Sequence, residues 1–141
     1  MSAADRSPAG VLDAFHAALN AGPDPDRIAA LLAPDYRHEA GGAVLGRAGF
    51  LGMQRVFAAG FSAFAVERTT LLVDGAWVAG HVVVRGTHTG PFLGHAPTGR
   101  SFAAAGIDLF RVADGRLAEG RGVFDTIAML RQLGLYREVT E

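Results

Sequence analysis

The chain has 141 residues, half of them hydrophobic and 19% charged, with a formal net charge of −1. That suits one compact domain burying about two-thirds of its unfolded surface, and it offers no basic face for nucleic acid. Cysteine and lysine are both missing, the thirteen basic residues all being arginines. Disulfides, thiolate nucleophiles, Cys-ligated zinc and a Schiff base on lysine are therefore excluded.

Met1 to Gly10 has neither a basic start nor an apolar run, so no signal peptide is expected. No apolar stretch is long enough to span a bilayer, and the expected location is the cytoplasm. Ser7-Pro8 is a helix start, a capping hydroxyl followed by proline at the first helical position. Val11, Leu12, Phe15, Ala18 and Leu19 recur at helical spacing until Asn20-Ala21-Gly22. Asp24-Pro25 repeats the signal for a short second helix ending before Pro34, and Tyr36 to Ala40 reads as a short strand. Gly46 to Gly60 reads as a third helix with Phe50, Met53 and Phe57 along one stripe.

The remainder is mostly strand. Phe64–Val73 and Ala76–Gly86 flank Asp74-Gly75, and Ser101–Val112 and Arg116–Phe124 flank Asp114-Gly115, both hairpin signals. Asp125 to Leu133 closes the chain as a helix stopped by Gly134. Helices followed by long antiparallel strands predict an α+β fold with helices packed on one sheet. No repeat or linker divides it, so residues 1–141 are expected to form one domain with a core of about 8–134 and flexible ends.

Between the two hairpins runs Gly86-Thr87-His88-Thr89-Gly90-Pro91-Phe92-Leu93-Gly94-His95-Ala96-Pro97-Thr98-Gly99. This is longer than a reversal of direction needs, and the loop is expected to cover something. Together with Gly106-Ile107-Asp108-Leu109-Phe110-Arg111, the Asp114-Gly115-Arg116-Leu117 turn and Gly122-Val123-Phe124-Asp125, it resembles the SnoaL-like polyketide cyclases. The resemblance runs from about Val11 to Gly134. It implies a nuclear transport factor 2-like fold, a curved sheet wrapped around helices into a cone with a deep pocket. It also implies a homodimer, and a cofactor-independent aldol cyclisation of a hydrophobic, polycyclic carbonyl substrate.

With Asp114-Gly115 as a two-residue turn, Phe110 is expected to face Glu119, Asp108 to face Arg121 and Ala104 to face Asp125. That register puts carboxylates and an arginine on one face with small residues, the makings of a polar-lined void. Asp125 has two readings. It is placed to cap the last helix, and the resemblance makes it the general acid/base of the ring closure. A carboxylate serves near neutral pH when an apolar cavity raises its pKa.

Arg121 stands where the resembled proteins usually have tryptophan. It is read either as a cross-strand ion pair with Asp108 or as a group stabilising an enolate or an acidic substrate. His38, in Asp35-Tyr36-Arg37-His38-Glu39, is read as a partly exposed strand residue or as a pocket donor to a substrate carbonyl. Asp108 is a polar pocket group, and Phe57 is placed in the pocket wall or the core. His88 is read as bracing the long loop.

No metal-ligand spacing, dinucleotide fingerprint or nucleophile elbow is present, so neither metal nor cofactor is implied. Two further classes fit the same residues. One is an isomerase or epoxide hydrolase using paired carboxylates, and the other is a small-molecule binder without catalysis.

Overall fold

The structure, a computed structural model, describes residues 2–22 and 24–138. For Met1 and residues 139–141, the flexibility expected of the ends lies outside the described residues. Helix α1 (Pro8–Asn20) starts where Ser7 Oγ accepts the Gly10 N–H at 3.1 Å. A short α2 (Pro25–Ala29) follows, capped by Asp24. Then come β1 (Leu32–Ala40), β2 (Ala43–Gly46), α3 (Arg47–Gly60), β3 (Phe61–Asp74), β4 (Trp77–His88), β5 (Ser101–Ala113), β6 (Arg116–Phe124) and α4 (Thr126–Leu133).

Two elements differ from expectation. Strand β1 begins at Leu32 and runs through Pro34, and its pairing with β6 is interrupted between Leu32 and Arg37. A residue without an N–H is tolerated in such a gap. Strand β2 is new: the chain reverses at Gly41-Gly42 and returns along β1, pairing Ala40 with Ala43 and Arg37 with Gly46.

The six strands form one sheet in the order β2-β1-β6-β5-β4-β3, antiparallel except where β1 runs parallel to β6. Its curvature has identifiable causes. The β3–β4 ladder slips between Ser62 and Ala65 and again between Arg68 and Thr70, and bulges of this kind bend a strand and increase its twist. The sheet curls around α1 and α3, which pack on its inner face, while α4 lies against β5. There Gln132 serves both the N–H and the C=O of Ala103, groups that β6 is too short to reach.

One hydrophobic cluster joins Leu12 and Phe15 of α1 and Phe50 of α3 to Val78, Val82 and Phe110 of the sheet. A second gathers Phe61, Phe92, Phe102, Met129 and Leu133 at the other end.

The β5–β6 register is the consequential correction. The turn forms as expected, with Asp114 and Gly115 both at positive φ (52° and 72°) and Val112 opposite Leu117. Beyond it the ladder slips by one residue at Ala118, and Phe110 then faces Gly120, Asp108 faces Gly122 and Leu109 faces Arg121. A one-residue slip moves every side chain of a strand to the other face. Unslipped, β6 would drive Glu119 and Arg121 into the apolar interior, at several kcal/mol per charge. The bulge sacrifices one ladder step and turns Gly120 and Gly122 inward instead.

Candidate functional site

The curve of the sheet encloses a cavity of about 810 Å³. Phe15 and Leu19 of α1, and Phe50, Met53 and Phe57 of α3, supply one wall, and Val82, Val84 and Phe110 of the sheet supply the other. Only four polar side chains join this lining among the described residues: His38, Gln54, Asp108 and Thr126. No arginine is among them.

The long loop closes over one side, as its length suggested. His88 is fully buried at its root. Its Nδ1 accepts the Thr98 N–H at 3.2 Å and lies 3.0 Å from the Thr98 hydroxyl. The N–H groups of Thr89 and Gly90 both donate to the Gly60 carbonyl at the end of α3. So anchored, the loop packs Phe92 beside Phe57 and Phe61 and presents Leu93 at the rim.

The polar pole of the cavity is built by β1, β5 and β6. His38, on β1, is buried beside Gly120 of β6. Its Nδ1 lies 2.8 Å from the hydroxyl of Tyr36, two residues back on the same inward face. Asp108 points inward from β5 opposite Gly122. A side chain at Gly122 would meet the Asp108 carboxylate at 3.1 Å and His38 Nε2 at 3.4 Å. The imidazole and the carboxylate therefore converge on the space this glycine leaves.

Gly120 is required in a similar way. A Cβ there would overlap the Tyr36 hydroxyl and come within 2.7 Å of the Phe110 ring. Bringing Tyr36 and Phe110 together thus needs a residue with no side chain between them.

Burial sets the electrostatics. It pushes the Asp108 carboxyl up to about 6, because a charged carboxylate loses solvation in an apolar cavity. It holds His38 below the ordinary imidazole value for the same reason. The Tyr36 phenol is pushed up, mainly by burial and further by the charge of Asp108. Burial thus favours the neutral forms of the imidazole and the phenol and makes Asp108 hold its proton more tightly than an ordinary carboxyl.

The other expected site residues are placed differently. Arg121 does not face Asp108. It lies opposite Leu109 on the outer face, largely exposed, with its guanidinium 3.6 Å from Glu39. Its intended ion pair is lost to the bulge, and Glu119, likewise outside, pairs with Arg111 at 2.9 Å. Asp125 is not on the pocket face. It is exposed, and its carboxylate caps α4 by accepting the Ala128 N–H at 3.0 Å. Phe124 and Thr126 on either side of it do line the cavity, so Asp125 stands at the rim. Phe57 lies in the wall, and His38, read as partly exposed in one account, is buried. Tyr36 was not singled out from sequence. Its signal is the Tyr-x-His spacing, which places both side chains on one face of a strand.

Among the described residues no helix is long and apolar enough to cross a membrane.

Comparison with known proteins agrees with this architecture. Residues 9–133 match the family model of the SnoaL-like polyketide cyclases. The chain is 35% identical over 69 residues to the nogalonic acid methyl ester cyclase of Streptomyces nogalater, covering 49% of this chain and 52% of that protein. It is 36% identical over 61 residues to the aklanonic acid methyl ester cyclase DnrD of Streptomyces peucetius, covering 43% of this chain and 42% of that one. The matched region thus spans about half the length of these relatives or less. Among solved structures, IdmH from Streptomyces antibioticus, described as a candidate polyketide cyclase, superposes with a TM-score of 0.80 at 31% identity, covering 90% of this chain and 98% of its own. With the family pattern matched from α1 to the end of α4 and the cone-shaped sheet in place, the chain belongs to the SnoaL-like polyketide cyclase family.

Proposed function

We propose that the protein is a cofactor-independent cyclase that closes a ring by intramolecular aldol addition on an uncharged polyketide ester, with Asp108 as the acid/base. The observation that carries this is the convergence of Asp108 and His38 over Gly122 at the polar end of an otherwise apolar cavity. Asp108 removes a proton from a carbon alpha to a carbonyl, and the enolate oxygen accepts a hydrogen bond from His38 Nε2. The enolate carbon then attacks a second carbonyl of the same molecule, and Asp108 returns the proton to the new alkoxide. Atoms and charge balance without a further reactant. A base with a pKa near 6 is well matched to this work at neutral pH.

The lining favours an uncharged substrate. A free carboxylate would lose its hydration with no cation to meet it, whereas a methyl ester is accommodated. Phe57, Met53 and Phe50 provide the apolar wall for a ring system. Arg121, lying outside, takes no part.

Asp125 is the second reading for the base. Its neighbours Phe124 and Thr126 reach the cavity, and releasing its cap bond to Ala128 would free the carboxylate at the rim. We also propose a homodimer formed through the outer sheet face around Ile107, which is 54% exposed and takes no part in the cavity lining. Sedimentation of the wild type against Ile107→Arg tests the dimer.

The test of the activity is to incubate the purified protein, without added cofactor, with nogalonic and aklanonic acid methyl esters and follow ring closure. Incorporation of solvent deuterium alpha to the carbonyl is measured alongside. Cyclised product or enzyme-dependent exchange supports the reading. Tight binding of both esters with neither outcome would move the protein to the class of non-catalytic binders.

A further inference from the structure

We propose that Tyr36 is a positioning residue that locks His38 in the tautomer carrying its proton on Nε2, so that the ring offers the cavity a donor. Tyr36 is 1% exposed, and its hydroxyl has one hydrogen-bond partner among the described residues, His38 Nδ1 at 2.8 Å. A phenol can donate one proton and accept others. Were Nδ1 to carry the proton, the phenol would accept it, and its own O–H would be left buried without an acceptor. That omission costs about 1–3 kcal/mol.

Donation from Tyr36 to Nδ1 leaves no orphan and fixes the proton on Nε2. That nitrogen is the one aimed at the space above Gly122, where the Asp108 carboxylate also reaches. No hydrogen bond joins His38 Nε2 to Asp108 in the structure, so the donor remains free for a substrate oxygen. A bare Nε2 would instead direct a lone pair at both the carboxylate and a developing enolate.

The arrangement is held rigidly. The Tyr36 ring packs edge-on against Phe50 with centroids 5.1 Å apart, and the His38 ring lies 4.6 Å from the same phenylalanine. Gly120 lets the hydroxyl sit against the β6 backbone, where any side chain would displace it. A flipped imidazole would present a carbon to the phenol and lose their hydrogen bond, and the hydroxyl has no other partner among the described residues. Burial also keeps the phenol un-ionised throughout the working pH range, so the donor is not lost as pH rises.

The consequence for catalysis rests on the cyclase reading above, but the tautomer does not, and it is measurable in the free protein. The experiment is nitrogen-15 NMR of histidine-labelled wild type and Tyr36→Phe at pH 7.5, read through couplings to the ring protons. In the wild type, His38 should show a protonated Nε2 and an unprotonated Nδ1, the latter displaced from the free value by the bond it accepts. In Tyr36→Phe that displacement should vanish and an Nδ1-protonated population should emerge. The phenylalanine keeps the packing on Phe50, and an otherwise unchanged amide spectrum confirms it.

A wild-type ring protonated on Nδ1, or a variant whose Nδ1 signal stays in place, overturns the proposal. The wild-type measurement stands alone should the variant fail to fold. On a cyclised ester, Tyr36→Phe should lower kcat about tenfold with little change in KM, a fraction of what outright loss of an oxyanion donor costs. A locked tautomer in a protein that cyclises nothing would leave the positioning role intact and refute the cyclase reading alone.

Discussion

Replacing Asp108 by asparagine should stabilise the protein at neutral pH and not in acid. Burial raises the folded-state pKa of this carboxyl from 3.8 to about 6, so the folded protein binds this proton more tightly than the unfolded chain does. The stabilisation it contributes is fully present below pH 3.8 and is lost as pH rises through about 6. The difference is about two pH units at about 1.4 kcal/mol each, or about 3 kcal/mol by pH 7. Asparagine has nearly the same shape and never ionises, so it escapes this loss. Urea unfolding of both proteins from pH 4 to 7.5 isolates the effect, because the other titrating groups largely cancel in the difference. The variant should match the wild type near pH 4 and exceed it by up to about 3 kcal/mol at pH 7.5, with the change centred between pH 4 and 6. A difference that stays constant with pH would mean that Asp108 is solvated, and the cavity argument would fail.

His16 should show the opposite trend. It is 6% exposed, neither ring nitrogen has a partner among the described residues, and burial with Arg68 nearby lowers its pKa to about 4. Its depressed folded value means that stability is present above the unfolded value of 6.5 and is lost as pH falls toward 4. His16→Leu should therefore gain about 3 kcal/mol more over the wild type at pH 4 than at pH 7.5. Thermal melts at the two pH values read it, and parallel shifts would contradict it. Gly120→Ala should cost about 3 kcal/mol or prevent folding, since overpacking here has no flexible neighbour to yield. A variant with an unchanged urea midpoint would contradict the β5–β6 register.

The elements were legible because their signals are local. Ser7-Pro8 and Asp24-Pro25 start helices where they stand, Gly134 ends α4 at φ 76°, and Asp114-Gly115 supplies the turn its backbone demands. The inward face of β5 was equally readable, from Phe102 to Phe110 at period two. What failed was the phase of β6, because nothing in a two-residue turn announces a bulge a few residues later. The clue lies in Leu117-Ala118-Glu119-Gly120-Arg121-Gly122: charges alternate with glycines, and no register can bury both charges cheaply. Weighing that desolvation against one broken ladder step points to the bulge.

The same error placed Arg121 inside and left Gly120 and Gly122 unremarked. His38 and Asp108 were named as separate pocket candidates. Their convergence depends on β1 joining β6 in parallel, a pairing between distant segments that local pattern does not encode.

The most direct test of the central claim compares Asp108→Asn with Asp125→Asn in the same cyclisation assay, each checked for an intact fold. The account expects Asp108→Asn to lower kcat by about 10² to 10⁴, the usual worth of a positioned acid/base. Asp125→Asn should stay within a few-fold of wild type and pay chiefly in stability through the α4 cap. The reverse pattern, with full activity in Asp108→Asn and loss in Asp125→Asn, would move the chemistry to the rim and contradict the account.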